Sequence, residues 1–334
     1  MKFIKENWKG ILFSLIIALI ANYLGKLLPV IGGPVFGIVI GIIINNTFGK
    51  MEGTEKGISF TSKKVLQLSI ILLGASLSLS QVLKTGMESL YVMIFTLSTA
   101  FLSAYIFGKL FNVPGNLKSL IGVGTAICGG SAIAAISPII EADDMEIAYS
   151  ISTIFLFNLM AIFIFPAMGH MLNFSDKAFG LWAGTAINDT SSVVAAGYSY
   201  SNAAGAYATI VKLTRTTMII PISLIFTFAA AMKKKKESKG SKINYSFKKV
   251  FPWFVLGFLA ASILNTFGIL SGALASNISS LGKFMIVMAL SAIGLNSDFK
   301  QMKKTGLKPI FLGLIVWFNV AVVSLIVQFI TRQI

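Results

Sequence analysis

Three ionisable side chains lie inside long apolar runs of this sequence, where charge is rare. Asp189 is the only acidic residue well inside such a run, while Lys212 and Arg215 lie three positions apart in the next run and so share one helix face. Two cations against one acid leave about one positive charge unbalanced, which is costly in hydrocarbon unless an anion binds. Because arginine forms a planar fork of donors, the pattern predicts an oxyanion or carboxylate site. The alternatives are a purely structural network of the three side chains and contact of the cations with lipid headgroups.

Small and polar residues interrupt two of the apolar stretches near their centres. Residues 121–137 are rich in Gly, Ala, Ser and Thr, and residues 188–192 read Asn-Asp-Thr-Ser-Ser. Close helix packing is one explanation; the other is a broken helix, whose unpaired N–H groups attract anions and whose unwound backbone lines a cavity. Asp189 is expected to carry or gate the coupling ion, H+ or Na+. The expected substrate contacts are Cys128, Gly129, Gly130, Ser131, Asn188, Thr190, Lys212 and Arg215.

The composition requires a membrane around these residues. Of the 334 residues, 55% are hydrophobic and 12% are charged, and the mean hydropathy is +0.83. Soluble domains carry about 25% charged residues, so a soluble monomer of this composition would expose large apolar patches. The net charge of +16 is distributed between apolar runs, which is typical of membrane orientation rather than of nucleic-acid binding. The fold class is therefore predicted to be all-α and polytopic.

Eleven apolar runs approach the about 20 residues that a membrane-spanning helix needs. They are residues 10–28, 34–48, 64–83, 89–111, 118–140, 147–170, 178–199, 203–232, 249–266, 278–297 and 307–330. With the N-terminus in the cytoplasm, cytoplasmic segments hold 22 Lys and Arg residues and outer segments hold 3. The positive-inside rule therefore favours eleven crossings and an outer C-terminus, with the acidic loop Glu141–Glu146 outside. Residues 233–248 form a basic cytoplasmic loop, and residues 1–334 form one transmembrane domain.

Two pairs of segments resemble each other within the chain. Gly74–Gly86 and Gly294–Gly306 match at five of thirteen positions and end helices of opposite predicted direction, as in an inverted-topology repeat. Gly124–Pro138 and Gly184–Tyr198 match at six of fifteen positions, including Gly-Thr-Ala-Ile. In the eleven-span scheme these last two segments run in the same direction, so the two resemblances do not fit one symmetry.

Other chemistry finds little support in the residues. The chain has one histidine, His170, and one cysteine, Cys128, so neither a metal site nor a disulfide is expected. No P-loop, dinucleotide fingerprint, HExxH or GxSxG motif occurs, and an intramembrane enzyme would need a nucleophile with a base or a metal cluster. We expect no enzymatic activity and no cofactor. The expected partners are a small anion and the lipid bilayer, not nucleic acid, with a homodimer left open.

Several segments resemble the YeiH type of bacterial membrane proteins, a family named as sulfate exporters. The resemblance covers nearly the whole chain, and its most specific parts are ICGGSAIAA at residues 127–135 and VKLTR at residues 211–215. It implies kinship with cation/proton antiporters and bile-acid symporters, inverted repeats, and broken helices that cross at mid-membrane. The chain departs from many relatives at Asn188 and Ser192, where they have His and Gln, and this leaves the coupling ion open.

Together these observations predict a secondary active transporter that moves a small anion, such as sulfate, sulfite or a sulfonate, by alternating access. Lys212 and Arg215 would neutralise the anion, and half-helix N–H groups near Gly129 and Asp189 would orient it. The alternative is a cation/proton antiporter of the Na+/H+ type, in which Asp189 is the ion site. A passive channel would differ from both because its flux would not saturate.

Overall fold

A computed structural model describes residues 2–28, 32–49, 52–236, 253–270, 272–297 and 306–334. Throughout these ranges the regular structure is helical. The helices are α1 (Lys2–Leu27), α2 (Gly32–Phe48), α3 (Glu55–Phe60), α4 (Leu66–Gly74), α5 (Leu79–Leu110), α6 (Gly115–Ala126), α7 (Gly130–Ile136), α8 (Asp144–Met171), α9 (Asp176–Ala186), α10 (Thr190–Tyr200), α11 (Asn202–Thr217), α12 (Ile219–Lys236), α13 (Trp253–Thr266), α14 (Gly272–Asn296) and α15 (Leu307–Ile330). The predicted basic loop, residues 233–248, lies mostly outside the described residues.

The helices have the length and composition of membrane spans. Six segments are long and apolar enough to cross a bilayer, among them α5, α8, α15 and the joined pair α11–α12, and two shorter apolar helices accompany them. A π-helical turn (Thr61–Val65) joins α3 to α4 without a break in the helical path. The chain is therefore a polytopic all-α membrane protein, as the composition predicts.

The segment α9–α10 folds back on itself instead of crossing. At the end of α10, the Ser201 hydroxyl donates to the carboxylate of Asp176 at the start of α9, over 2.6 Å. The ring of Tyr200 stacks on that of Phe179, with centroids 3.9 Å apart. The two ends of the segment thus lie side by side, and the interruption between the helices forms the tip of a hairpin.

The segment α6–α7 has the same form. The residues before and within the first turns of α6, Val113, Pro114 and Leu117, share a shallow cavity with Met145 and Glu146 at the start of α8. Nearer the tip, the side chain of Ile133 on α7 lies against Gly124 on α6. The chain therefore leaves this hairpin on the side where it entered.

A single long helix separates the two hairpins. Helix α8 contains 28 residues, about 42 Å at 1.5 Å per residue, with the α6–α7 hairpin at its first end and the α9–α10 hairpin at its last. We call the end of the molecule where α8 begins the near side and the end where it finishes the far side. The hairpins therefore enter from opposite sides and meet at mid-depth.

This topology corrects two sequence predictions. The runs 118–140 and 178–199 are broken, as expected, but they are re-entrant and do not cross. The acidic loop Glu141–Glu146 consequently lies on the same side as the start of α6, whereas the eleven-span scheme placed it on the opposite side. Apolar run length could not separate the two cases, because a hairpin of two half-length helices contains as many apolar residues as one crossing helix.

The remaining helices surround the hairpins. Helix α14 packs closely on α2, where Gly41 and Gly294 let the backbones approach each other, and α1, α4 and α13 complete this layer. Helices α5, α8, α11 and α15 hold the hairpins. The indole nitrogen of Trp182 on α9, for example, donates to the Ala321 carbonyl of α15 over 3.1 Å. The resemblance of Gly74–Gly86 to Gly294–Gly306 stays a prediction, since residues 298–305 lie outside the described residues.

Candidate functional site

Lys212 and Arg215 lie on α11 between the two hairpin tips, and neither side chain is accessible to solvent. The Lys212 ammonium donates to the carbonyls of Ile127 and Ile187, over 2.8 and 2.9 Å. The Arg215 guanidinium donates through Nε to Ala126, over 2.6 Å. Its Nη1 and Nη2 atoms each donate to a backbone carbonyl in one hairpin, that of Thr185 over 2.5 Å and that of Thr125 over 2.7 Å.

These carbonyls belong to helix ends that would otherwise lack partners. The last four carbonyls of a helix have no intrahelical donor, and the helix dipole adds about half a negative charge there. Helices α6 and α9 both end inside the protein, at Ala126 and Ala186. The two cations therefore supply hydrogen bonds and opposite charge to the buried C-terminal ends of both entering helices.

The bonding follows the internal repeat. Thr125 and Thr185 are sixty positions apart, as are Ile127 and Ile187, and each pair occupies equivalent places in the repeated Gly-Thr-Ala-Ile. Arg215 binds both members of the first pair, and Lys212 binds both members of the second. The repeated sequence thus encodes two equivalent tips that share one pair of cations.

The two tips touch each other where α6 and α9 end. Gly129 has a φ of +68°, and a Cβ atom at this position would lie 3.3 Å from Cβ of Asp189. Glycine meets both requirements, since it adopts positive φ without strain and leaves room for the second tip. Gly129 therefore sets the distance between the hairpins.

The Asp189 side chain caps the helix that leaves the second tip. Its carboxylate accepts from the backbone N–H of Ser191 over 3.0 Å and from the Ser191 hydroxyl. Its own N–H donates to Oδ1 of Asn158 on α8, over 3.2 Å. Among the described residues, Asp189 forms no ion pair within 4 Å of Lys212 or Arg215. The direct network that the sequence left open is therefore absent from this arrangement.

Asn188, the residue before that cap, is fully buried, and its amide has no hydrogen-bond partner on either the nitrogen or the oxygen. The Thr125 hydroxyl in the other hairpin is also buried without a partner. Buried polar groups are nearly always paired, and leaving one unpaired costs about 1 to 3 kcal/mol. A donor and an acceptor are thus available at the second tip for a bound solute or water.

The first tip is the more accessible of the two. Ser131 is exposed and Gly130 is half-buried, whereas in the second tip Asp189 is half-buried and Thr190, Ser191 and Ser192 are buried. Cys128, also buried, is the counterpart of Asn188 sixty positions earlier. The structure therefore brings all the predicted site residues to one meeting point.

Sequence reasoning missed two contributions at this point. Neither the backbone carbonyls nor Asn158 on α8 was foreseen as a partner. The repeated Gly-Thr-Ala-Ile was the available signal for the carbonyls, since two identical segments that end at breaks call for equivalent partners. No comparable pattern marked Asn158, which lies in an ordinary apolar helix.

Comparison with known proteins fits this architecture. The family model described as Conserved hypothetical protein 698 matches residues 9–313. The chain belongs to this family. A UPF0324 membrane protein of Clostridium tetani is 47% identical to it, with 100% of both chains covered. Two further UPF0324 membrane proteins, from Fusobacterium nucleatum and Streptococcus pyogenes serotype M18, are each 46% identical, with 96% of both chains covered.

The family members are thus similar to this chain over nearly their whole length, and their names describe membrane proteins. The matched region includes both hairpins and the α11 cations. These names state no substrate, so the resemblance to sulfate exporters stays a prediction. A multi-pass membrane protein is the identity that the family and the fold support together.

Proposed function

We propose that this protein is a secondary transporter of a small anion, such as sulfate, sulfite or a sulfonate, and that the anion binds where the two hairpin tips meet. The observation that carries the proposal is the unpartnered amide of Asn188, buried beside Lys212 and Arg215 at the point where both helices are interrupted. Interrupted helices at mid-membrane are typical of transporter binding sites.

The charges at the tips favour an anion that binds together with a proton. The C-terminal ends of α6 and α9 contribute about half a negative charge each, about one in total. The N-terminal ends of α7 and α10 contribute about half a positive charge each, and an ionised Asp189 adds a second negative charge, so about one positive charge remains in excess. Protonation of Asp189 raises this excess to about two charges. A small anion would then restore the balance and could approach the N–H groups at the start of α10.

The cations keep some of their hydrogen-bonding capacity for a solute. Lys212 uses two of its three N–H donors on carbonyls, and Arg215 uses three of its five. We propose that they act mainly through their charge and through these remaining donors. Direct contact falls to Asn188 and Thr190 in the second hairpin and to Cys128, Gly129, Gly130 and Ser131 in the first.

The hairpin topology is compatible with the predicted orientation in a bacterial plasma membrane. Transferring Lys177 from the near side to the far side changes the predicted distribution of Lys and Arg to 21 on the near side and 4 on the far side. The near side would therefore be cytoplasmic under the positive-inside rule. In this orientation the N-terminus is inside and the C-terminus outside.

A cation/proton antiporter is the second candidate. The Asn188 oxygen and the Asp189 carboxylate are adjacent oxygen ligands of the type that Na+ binds, which favours this reading. The two buried cations nearby oppose it, because they repel a second positive charge. Addition of Na+ to proteoliposomes that hold a pH gradient separates the candidates: only an antiporter dissipates the gradient in the absence of a transported anion.

The direct test is uptake of labelled sulfate, sulfite and a sulfonate into proteoliposomes with and without an inward proton gradient. We expect saturable uptake of at least one of these anions that is faster with the gradient. Asn188→Ala should lower it by about tenfold or more, the effect of losing one buried polar partner. Lys26→Gln, which removes an exposed charge at the end of α1, is the control.

Two results would contradict the proposal. One is uptake of all three anions that does not exceed that of protein-free vesicles. The other is uptake that remains unchanged in Asn188→Ala and in Arg215→Ala, provided that a thermal unfolding transition shows both variants to be folded.

A further inference from the structure

A cavity of about 360 Å³ opens on the far side, away from the hairpin tips. It lies between the layer that contains α4, α13 and α14 and the pair formed by α10 and α11. Its volume is that of pockets which bind small molecules. Hydroxyl and amide groups line most of it, and the polar lining residues are Ser76, Tyr198, Asn202, Asn265, Ser276, Ser279, Ser280 and Lys283.

The charge of the cavity has one sign. Lys283 is its cation, and none of the described residues that line it is acidic. The Lys283 ammonium lies 6.0 Å from the ring centroid of Tyr198, and it takes part in neither of the ion pairs between described residues. A half-buried ammonium without a carboxylate partner gives the cavity a positive potential.

Some of the hydrogen-bonding groups that line the cavity are available to a ligand. Two of the serine hydroxyls, those of Ser76 and Ser279, lie 3.1 Å apart and bond each other. The side-chain amides of Asn202 and Asn265 take part in no hydrogen bond within the described part of the chain. Free amide N–H groups beside a cation are a suitable donor set for an oxyanion.

The cavity is connected to the proposed transport site through one short helix. Tyr198 in its wall and Thr190 at the hairpin tip belong to the same helix, α10, eight residues apart, which is about 12 Å. An anion in the cavity is therefore close to the far-side end of the hairpin that holds Asn188, but it does not touch the tip.

We propose that this cavity is a second binding site for a small oxyanion, with Lys283 as its charged ligand and Asn202 and Asn265 as donors. The site itself rests on the cavity alone; its role as the far-side station of a transported anion rests on the proposed function. Lys283 then selects for negatively charged solutes that enter from the far side, and the tip residues determine which of these solutes is carried across the membrane.

The test uses chemical labelling, so it does not depend on transport. Ser280→Cys places a thiol in the exposed wall of the cavity, and wild-type protein, whose single cysteine Cys128 is buried, gives the background. A negatively charged methanethiosulfonate reagent should label the thiol about threefold faster than it does when Lys283→Gln is added, while a neutral reagent should not distinguish the two proteins. Lys26→Gln is the matched control for charge on the same side.

Sulfate should slow this labelling in the Ser280→Cys protein but not after Lys283→Gln, and chloride at equal ionic strength serves as the salt control. Vesicles made only of phosphatidylcholine remove anionic lipid. Protection by sulfate in these vesicles supports a site for a free oxyanion. If labelling is slowed only when the vesicles contain phosphatidylglycerol, the oxyanion in the cavity is a lipid headgroup. That result would overturn the role of the cavity as a binding site for the transported anion.

Equal labelling rates with and without Lys283, or the lack of protection by sulfate in either lipid, would overturn the site. The outcome is separable from the proposed function. Protection by sulfate without uptake in proteoliposomes would support the cavity site and contradict the proposed transport function. Uptake that depends on Asn188, without protection at the cavity, would support the transport function and contradict the cavity site.

Discussion

Thr125 and Thr185 have uncharged side chains, yet their backbone carbonyls accept hydrogen bonds from the same guanidinium group, that of Arg215, over 2.7 and 2.5 Å. One side chain thereby joins the tips of two hairpins that enter the molecule from opposite ends. Since α6 and α9 both stop in the interior, their terminal carbonyls need this partner. Arg215 holds the two hairpins together, whatever the solute that binds between them.

Replacement of this guanidinium should therefore destabilise the fold as well as the site. Arg215→Met removes three charge-assisted hydrogen bonds and leaves the carbonyls buried, so we expect the free energy of unfolding to fall by about 3 to 5 kcal/mol. Denaturant unfolding of the purified protein in detergent measures the change. Lys26→Met, in an exposed position, should cost less than about 0.5 kcal/mol. Equal stability of the two variants would show that the carbonyls have other partners.

The hairpins make a prediction about which segments share a side of the membrane. Single cysteines introduced by Leu172→Cys and Asn202→Cys flank α9–α10 and should react with an impermeant maleimide from the same side. Cysteines introduced by Asn116→Cys and Ala142→Cys lie at the two outer ends of the α6–α7 hairpin and should both react from the other side. Labelling of right-side-out and inverted vesicles measures this. Opposite sidedness within either pair would mean that the segment crosses the membrane.

The distance between the tips should be sensitive to a single methyl group. Gly129→Ala introduces a Cβ atom 3.3 Å from that of Asp189 at a residue whose φ is +68°, so the tips must separate. We expect a stability loss of about 1 to 3 kcal/mol and slower anion uptake. Gly115→Ala at the start of α6 is the control, because a Cβ atom there meets no atom within 4 Å and the residue lies outside the proposed site. If both variants behaved alike in unfolding and uptake, the tips would not be in close contact.

The residues that meet at this centre were easier to recognise from the sequence than its topology. Lys212 and Arg215 were recognisable because charge inside an apolar run is costly and needs a reason, and the glycines and Asn188 marked both breaks. The direction of the chain after each break was not recognisable. Backbone hydrogen bonds are satisfied equally well in a crossing broken helix and in a re-entrant hairpin that is enclosed by protein, so apolar length and composition are the same.

The partners of the two cations were also beyond the reach of side-chain patterns. Counting charges gave one acid for two cations, and the missing negative charge was assigned to a visiting anion. In the structure, the carbonyl ends of α6 and α9 supply about one negative charge. Backbone dipoles of this kind become visible only when the helix ends are known. The resemblance between Gly124–Pro138 and Gly184–Tyr198 contained the information, but it was interpretable only after the hairpins placed both segments around Arg215.

Asp189 should link anion binding to pH. Its ionised carboxylate offsets one positive charge and caps α10 by accepting from the Ser191 N–H, so it competes with a small anion for the same positive groups. An anion that binds only the protonated form should bind about tenfold more weakly for each pH unit above the range in which Asp189 titrates. Asp189→Asn removes the carboxylate, and the affinity for sulfate should then be independent of pH and close to the low-pH value of the wild type.

The concentration of sulfate at half-maximal uptake, measured over about two pH units, tests this linkage. Glu88→Gln is the matched control, because Glu88 is an acid in a transmembrane helix that pairs with Lys177 over 2.8 Å, away from the tips, and its loss should leave the pH dependence in place. Retention of the full pH dependence in Asp189→Asn would place the coupling proton elsewhere. Sulfate binding that strengthens as the pH rises would contradict the competition itself, since the ionised carboxylate would then favour the anion.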